Sequence, residues 1–82
     1  MKTVTLYSTE GCHLCEMASA LYEQLEVEAE LEVVDIAYDD KLFESYGVTI
    51  PVLNFEGSEI NWPFDIEQLS SWLEKNGITY HK

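Results

Sequence analysis

This sequence predicts an α/β fold of element order β-α-β-α-β-β-α, a four-stranded mixed sheet flanked by three helices in a single domain spanning residues 1–82. Three observations predict it. Apolar residues alternate or cluster over strand-length runs at Thr3 to Tyr7, Glu30 to Ile36 and Val52 to Phe55. They recur at a helical period over Cys12 to about Val27 and again over Asp65 to Asn76. A glycine-centred turn, Glu56-Gly57-Ser58, splits the last strand pair into a hairpin.

The elements follow in order. Thr3 to Tyr7 alternates polar and apolar residues as a first strand, and Ser8 to Gly11 is a tight loop. In the first helix the apolar positions are Leu14, Met17/Ala18, Leu21/Tyr22 and Leu25, with Glu16, Glu23, Glu26 and Glu28 on the solvated side. The second strand takes its apolar content from Leu31, Val33, Val34 and Ile36. A short helix over Asp39 to Tyr46 is capped by Asp39 or Asp40, turns Leu42 and Phe43 inward and ends at Gly47. After Val48-Thr49-Ile50-Pro51 come Val52 to Phe55, the turn, and Glu59 to Asn61.

The last helix carries the strongest local signals. Asp65 fits the N-cap, Gln68 the reciprocal capping-box position, and Phe64 with Leu69 the hydrophobic staple. Ile66, Leu69, Trp72 and Leu73 form its buried stripe, and Gly77 fits the stop. Ile78 to Lys82 is either a frayed tail or a late cover. The first half makes a parallel βαβ unit, right-handed by the usual rule.

Composition bounds the function. Eighty-two residues make one domain with a thin stability margin. A hydrophobic content of 46% is enough for one core and argues against disorder. Sixteen acids face four Lys and no Arg, for a net charge of −12. That disfavours nucleic acid and anionic membranes, because nothing could neutralise a row of phosphates. It would steer a protein with a basic patch toward this surface, or it serves solubility alone. No apolar run nears the ~20 residues of a membrane span. The N-terminus alternates as a strand instead of carrying the apolar stretch of a signal peptide, so the expected location is the cytoplasm.

The chemistry lies in Cys12-His13-Leu14-Cys15, at the strand-to-helix junction and holding the two cysteines of the chain. Residues three apart on a helix are neighbours, so the pair forms a disulfide or dithiol with little backbone movement. The helix N-terminus favours an anion, here the reactive thiolate. A reducing compartment makes such a pair catalytic, redox-active or metal-binding in preference to a static staple. Two cysteines and a neighbouring His do not close a tetrahedral metal site within one chain, although a dimer would bring four thiolates together.

The motif after strand one, the Thr49-Ile50-Pro51 before strand three and Trp62-Pro63-Phe64-Asp65 before the last helix resemble the glutaredoxin-like branch of the thioredoxin fold over essentially the whole chain. In particular they are similar to small bacterial glutaredoxin-like proteins. That resemblance implies a thiol–disulfide oxidoreductase with Cys12 as exposed nucleophile and Cys15 as resolving thiol. It implies a cis bond at Ile50–Pro51 beside the disulfide, which would offer the Ile50 backbone to an extended substrate. It makes Trp62 a candidate contact and Asp65 a candidate partner for the glutathione amine, a residue that capping explains equally well. No bound cofactor or metal is implied; glutathione is a candidate co-substrate. The expected partner is a protein disulfide or a reductase, and the expected state is a monomer.

This chain departs from the pattern at three places. His13-Leu14 replaces Pro-Tyr, Glu10 stands where a Lys is usual, and Asn61-Trp62-Pro63 replaces a Gly-Gly pair. His13 either supports the thiolate when protonated or is an exposed residue without a role. Tyr7, at the end of strand one near the motif, either flanks the active site or, the reading its strand propensity favours, packs in the core. Asp35 reads as a solvated strand-end acid, or else as a proton carrier for Cys15. A non-catalytic adaptor that uses the acidic surface is the competing function.

Overall fold

The alternation of Thr3–Ser8 puts Val4, Leu6 and Ser8 on one face of the first strand and Thr3, Thr5 and Tyr7 on the other. In the computed structural model, which describes residues 2–47 and 49–81, this strand becomes a central one. The elements are β1 (Thr3–Ser8), α1 (His13–Gln24), β2 (Glu30–Asp35), α2 (Asp40–Tyr46), β3 (Val52–Phe55), β4 (Ser58–Asn61) and α3 (Ile66–Lys75), in the order expected. The sheet runs β2-β1-β3-β4. Strand β1 is parallel to β2 and antiparallel to β3, and β3 is antiparallel to β4. Val48 and Lys82, assigned above to the approach to Pro51 and to the tail, lie outside the described residues, as does Met1.

Register decides what each face carries. Leu6 lies opposite Val33 and Leu53, and Leu53 opposite Ile60. That face receives α1 and α3. Val4, Leu6, Leu53 and Phe55 from the sheet pack with Ala18, Tyr22 and Leu25 and with Leu69, Trp72 and Leu73. The other face takes α2 at one end. Tyr46 stacks on Tyr7 with ring centroids 4.3 Å apart and planes at 16°. Its hydroxyl donates to the Glu59 carboxylate, which also accepts from Asn54 Nδ2 at 2.9 Å. Tyr7 is therefore a half-buried anchor for α2, not the core residue expected.

Helix α3 forms as its sequence dictates. Gln68 N–H donates to Asp65 Oδ1 at 2.7 Å, and Asp65 N–H to Gln68 Oε1 at 3.0 Å, so both halves of the capping box are present. Phe64 and Leu69 are both buried in the same core. At the other end Gly77 takes φ +68°. Its N–H donates to Glu74 O at 3.1 Å and that of Ile78 to Leu73 O at 2.9 Å. This is a Schellman closure. Ile78 then enters the core, while Glu28 N–H donates to Thr79 O at 2.9 Å and His81 N–H to Leu25 O at 2.7 Å. The segment after α3 is thus a cover and not a frayed tail.

Other expectations are corrected. Helix α1 starts one residue later, with Cys12 as its cap, and stops at Gln24, because Glu26 turns into the left-handed region at φ +48°. Of its expected stripe Ala18, Tyr22 and Leu25 are buried, with Cys15 added, whereas Leu14 and Met17 are each 44% exposed. Both registers have a helical period, and the positions of the neighbouring elements choose between them. In α2 no residue is fully buried and Phe43 is 58% exposed. Asp39 caps that helix, accepting from Lys41 and Leu42 N–H at 3.0 and 3.1 Å. Gly47 keeps right-handed angles, so handedness is not why glycine stands there. An added Cβ would lie 2.5 Å from the Phe43 carbonyl oxygen, and that lack of room is the reason. Strand β2 ends at Asp35, and Ile36–Tyr38 forms a 3₁₀ turn that the sequence did not signal. The hairpin is tighter than expected. Glu56 and Gly57 both have positive φ, and Ser58 already pairs with Phe55.

Tyr22 joins α1 to the turn before β2 by donating its hydroxyl to Ala29 O at 2.6 Å. Burial pushes its phenol up to about 12. A raised folded pKa means that the folded state holds this proton more tightly than the unfolded chain does. The stabilisation is therefore complete below the unfolded value of ~10 and is lost between pH 10 and about 12, amounting to roughly 2–3 kcal/mol. Tyr46, also pushed up to about 12, first by its bond to Glu59, gives a second proton of the same sign. Tyr22→Phe is expected to flatten the decline of unfolding free energy across this window by one proton and to leave that of Tyr46. Equal slopes in urea titrations of both proteins would contradict this account.

Candidate active site

The loop after β1 turns at Gly11, whose φ of +77° favours glycine, and Cys12 N–H donates to Thr9 O at 3.3 Å. Cys12 itself is extended, at φ −81° and ψ 102°, and caps α1 with its sulfur, which accepts from Cys15 N–H at 3.1 Å. Cys12 and Cys15 form a disulfide across 5.2 Å between Cα atoms, inside the usual span. The two cysteines differ in access. Cys15 is 4% exposed, whereas Cys12 is half-buried at the loop end of the helix. His13 is a surface residue with Nδ1 3.7 Å from Glu16 Oε2. Glu10 is exposed in the loop before the motif.

The expected second wall is built from β3 and the segment after β4. Val52 lies opposite Tyr7 and Asn61, so Pro51 and Trp62 come to the same end of the sheet as the Cys12 loop. The Ile50–Pro51 bond is cis, as the resemblance implied, and Trp62–Pro63 is a second cis bond that was not foreseen. Trp62 N–H donates to Pro51 O at 3.1 Å. Ile50 differs from expectation. Its N–H donates to Tyr46 O at 3.2 Å, and the same carbonyl accepts from Thr49 N–H at 3.0 Å and Thr49 Oγ1 at 3.3 Å. A substrate would compete with the end of α2 for that amide. Trp62 is half-buried and meets Phe64 edge-on at 5.1 Å. Asp65 is exposed but already engaged by its cap. Asp35, half-buried, caps the 3₁₀ turn through Ala37 N–H at 2.8 Å.

Sequence reasoning missed a cleft of about 320 Å³ on the opposite flank of the motif. Both cysteines line it, with Glu16, Ser19, Ala20 and Glu23 of α1 above and Leu6, Ser8 and Val33 of the strands below. Pro51, Trp62 and Asp65 are not among its walls. One signal could have found it: β2 as an edge strand whose apolar Val33 has only a flanking helix to cover it. Among the described residues, no group of three or more His, Cys, Asp or Glu could hold a metal ion.

Comparison with known proteins places this arrangement. Residues 3–74 match the model of the glutaredoxin-like domain (DUF836). The chain belongs to the glutaredoxin-like family. Two solved proteins are similar throughout. Target protein XcR50 from X. campestris is 37% identical in its X-ray structure, with a TM-score of 0.82 over 88% of this chain and 96% of that one. Protein Ne2328 from Nitrosomonas europaea is 32% identical, with a TM-score of 0.68 over 87% and 89%. Thioredoxin 1 from Thermosipho africanus TCF52B, 15% identical with a TM-score of 0.59 over 90% and 92%, shares the fold. The comparison with curated proteins found no match. This glutaredoxin-like domain thus carries a paired Cys12–Cys15 at the N-terminus of α1, an arrangement that suggests a redox function.

Proposed function

We propose that this domain is a thiol–disulfide oxidoreductase that reduces protein disulfides through the Cys12–Cys15 couple. One observation carries the reading: two bonded sulfurs at one helix N-terminus, with the outer cysteine accessible and the inner one buried. In the reduced protein, the Cys15 N–H that now meets Cys12 Sγ at 3.1 Å would favour the Cys12 thiolate, with help from the helix dipole. That thiolate attacks one sulfur of a substrate disulfide, forms a mixed disulfide and expels the other sulfur as a thiolate. Cys15, deprotonated, then attacks Cys12 Sγ and releases the second substrate thiol. The substrate gains two electrons and two protons, and the pair is left as a disulfide for a dithiol or two thiols to reduce. Neighbouring sulfurs make the second step effectively unimolecular.

Protein disulfides are favoured over glutathione adducts on the chain's own features. An acid, Glu10, stands where a Lys would meet a carboxylate, and Trp62-Pro63 fills the segment where paired glycines would let glutathione approach. Pro51 and Trp62 are assigned to the wall that orients the substrate, and His13 to its rim.

The test is the redox equilibrium of the pair against defined glutathione ratios, read by mass after thiol trapping. A two-electron transition near the cytosolic poise of about −200 to −320 mV supports the assignment. Cysteines that stay unpaired at every ratio would sink the dithiol mechanism and favour the adaptor.

A further inference from the structure

The cleft beside the disulfide exists because α1 covers β1 but stops short of the sheet edge. Leu6 and Val33 are paired in register and so face the same side, yet Leu6 is sealed while Val33 is 60% exposed. The space between them is bordered by Cys12 and Cys15.

Its charged groups are both acceptors, set among the hydroxyls of Ser8, Thr9 and Ser19. Glu16 and Glu23 contribute carboxylates from α1, that of Glu16 lying 3.7 Å from His13 Nδ1, and among the described residues no Lys, Arg or His lines the cleft. Ser8, 8% exposed, donates only to Thr9 O, at 3.4 Å, which leaves its lone pairs for an incoming donor. The remaining wall at Ala20 and Val33 is aliphatic. An apolar stem ending in several N–H donors matches this surface: an arginine or lysine side chain. Glu16 and Glu23 are seven residues apart, about 10 Å along a helix axis. An extended peptide advances about 3.3 Å per residue, so basic residues two to four positions apart would reach both carboxylates.

We propose that this cleft receives the arginine- or lysine-bearing segment that flanks a partner protein's disulfide, so that charge beside the reacting sulfurs selects the substrate. The inference rests on the oxidoreductase reading for what the segment brings, but not for its binding. It is separate from the overall charge of −12, which would attract any basic chain without placing it.

The experiment uses two nine-residue peptides with a central serine in place of cysteine, one flanked by two arginines and its twin by two glutamates. Binding is followed at low salt by amide chemical shifts on the parent protein, on Glu23→Gln and on Glu44→Gln. The last removes the same charge from α2, and helical circular dichroism checks both folds. The arginine peptide is expected to shift Ser19, Ala20 and Val33, and the glutamate twin to shift none of them. Glu23→Gln is expected to weaken binding by about three- to fivefold, the scale of one exposed ion pair, and Glu44→Gln to leave it unchanged. Equal losses in both variants, or shifts that avoid the cleft, would overturn the proposal in favour of diffuse attraction. Disulfide-bearing versions of the same peptides separate the two readings. Binding without turnover removes the oxidoreductase and keeps the cleft; turnover indifferent to peptide charge does the reverse.

Discussion

Replacing Cys12 by Ser is expected to abolish reduction of a disulfide peptide, by at least about three orders of magnitude, because the proposed mechanism makes the accessible sulfur the attacking group. Cys15→Ser is expected to act one step later. The half-buried Cys12 still attacks, but no inner thiolate releases it, and the protein accumulates as a mixed disulfide one substrate chain heavier. Single-turnover reactions quenched with a thiol trap and weighed by mass spectrometry distinguish the two. A Cys12→Ser protein that still forms the adduct would assign attack to Cys15 and contradict the burial difference between them. A Cys15→Ser protein that turns over at the full rate would show that a thiol from solution resolves the intermediate, as in a monothiol reaction.

Leu69→Ala is expected to cost about 2–5 kcal/mol, since the side chain is fully buried under the Phe64 staple and its loss leaves a cavity. A domain of 82 residues has a total stability of about 4–12 kcal/mol, so this one change consumes a large share of it. Leu14→Ala, at a position 44% exposed, is expected to cost less than about 1 kcal/mol. Denaturant midpoints at constant slope measure both. A Leu14 variant as damaging as the Leu69 variant would contradict the exposed placement of Leu14.

Those two leucines show what was legible. Around Leu69 the information is local: Asp65, Gln68, Phe64 and Gly77 each act within a few residues, and each takes the role its chemistry dictates. At Leu14 it is not. Leu14, Met17 and Leu21 make as good a helical stripe as Cys15, Ala18, Tyr22 and Leu25, and only the neighbouring sheet and α3 decide which is inside. Phe43 in α2 is misread, and the exposure of Val33 in β2 is unforeseen, for the same reason, because partial coverage belongs to the arrangement of elements and not to a segment. The sulfur pair was legible from spacing, and the cis bond at Pro51 from resemblance. The engagement of the Ile50 amide by Tyr46 was not, since it joins two elements across a loop. The cleft was hidden for the same reason as Val33.

The cover after α3 has a mechanical consequence for the proposed redox cycle. Leu25, just past the far end of α1, is held by His81 N–H, and the turn that follows is fastened through Glu28 to Thr79. The helix that carries the sulfurs at one end is therefore moored at the other by backbone bonds that contain no sulfur. Neither mooring involves Cys12 or Cys15, so opening that bridge removes a covalent tie of four residues without directly breaking either one. On the oxidoreductase reading proposed above, the bonds would exchange on a platform tied down at its far end, and the acidic flank of α1 would offer one surface in both states.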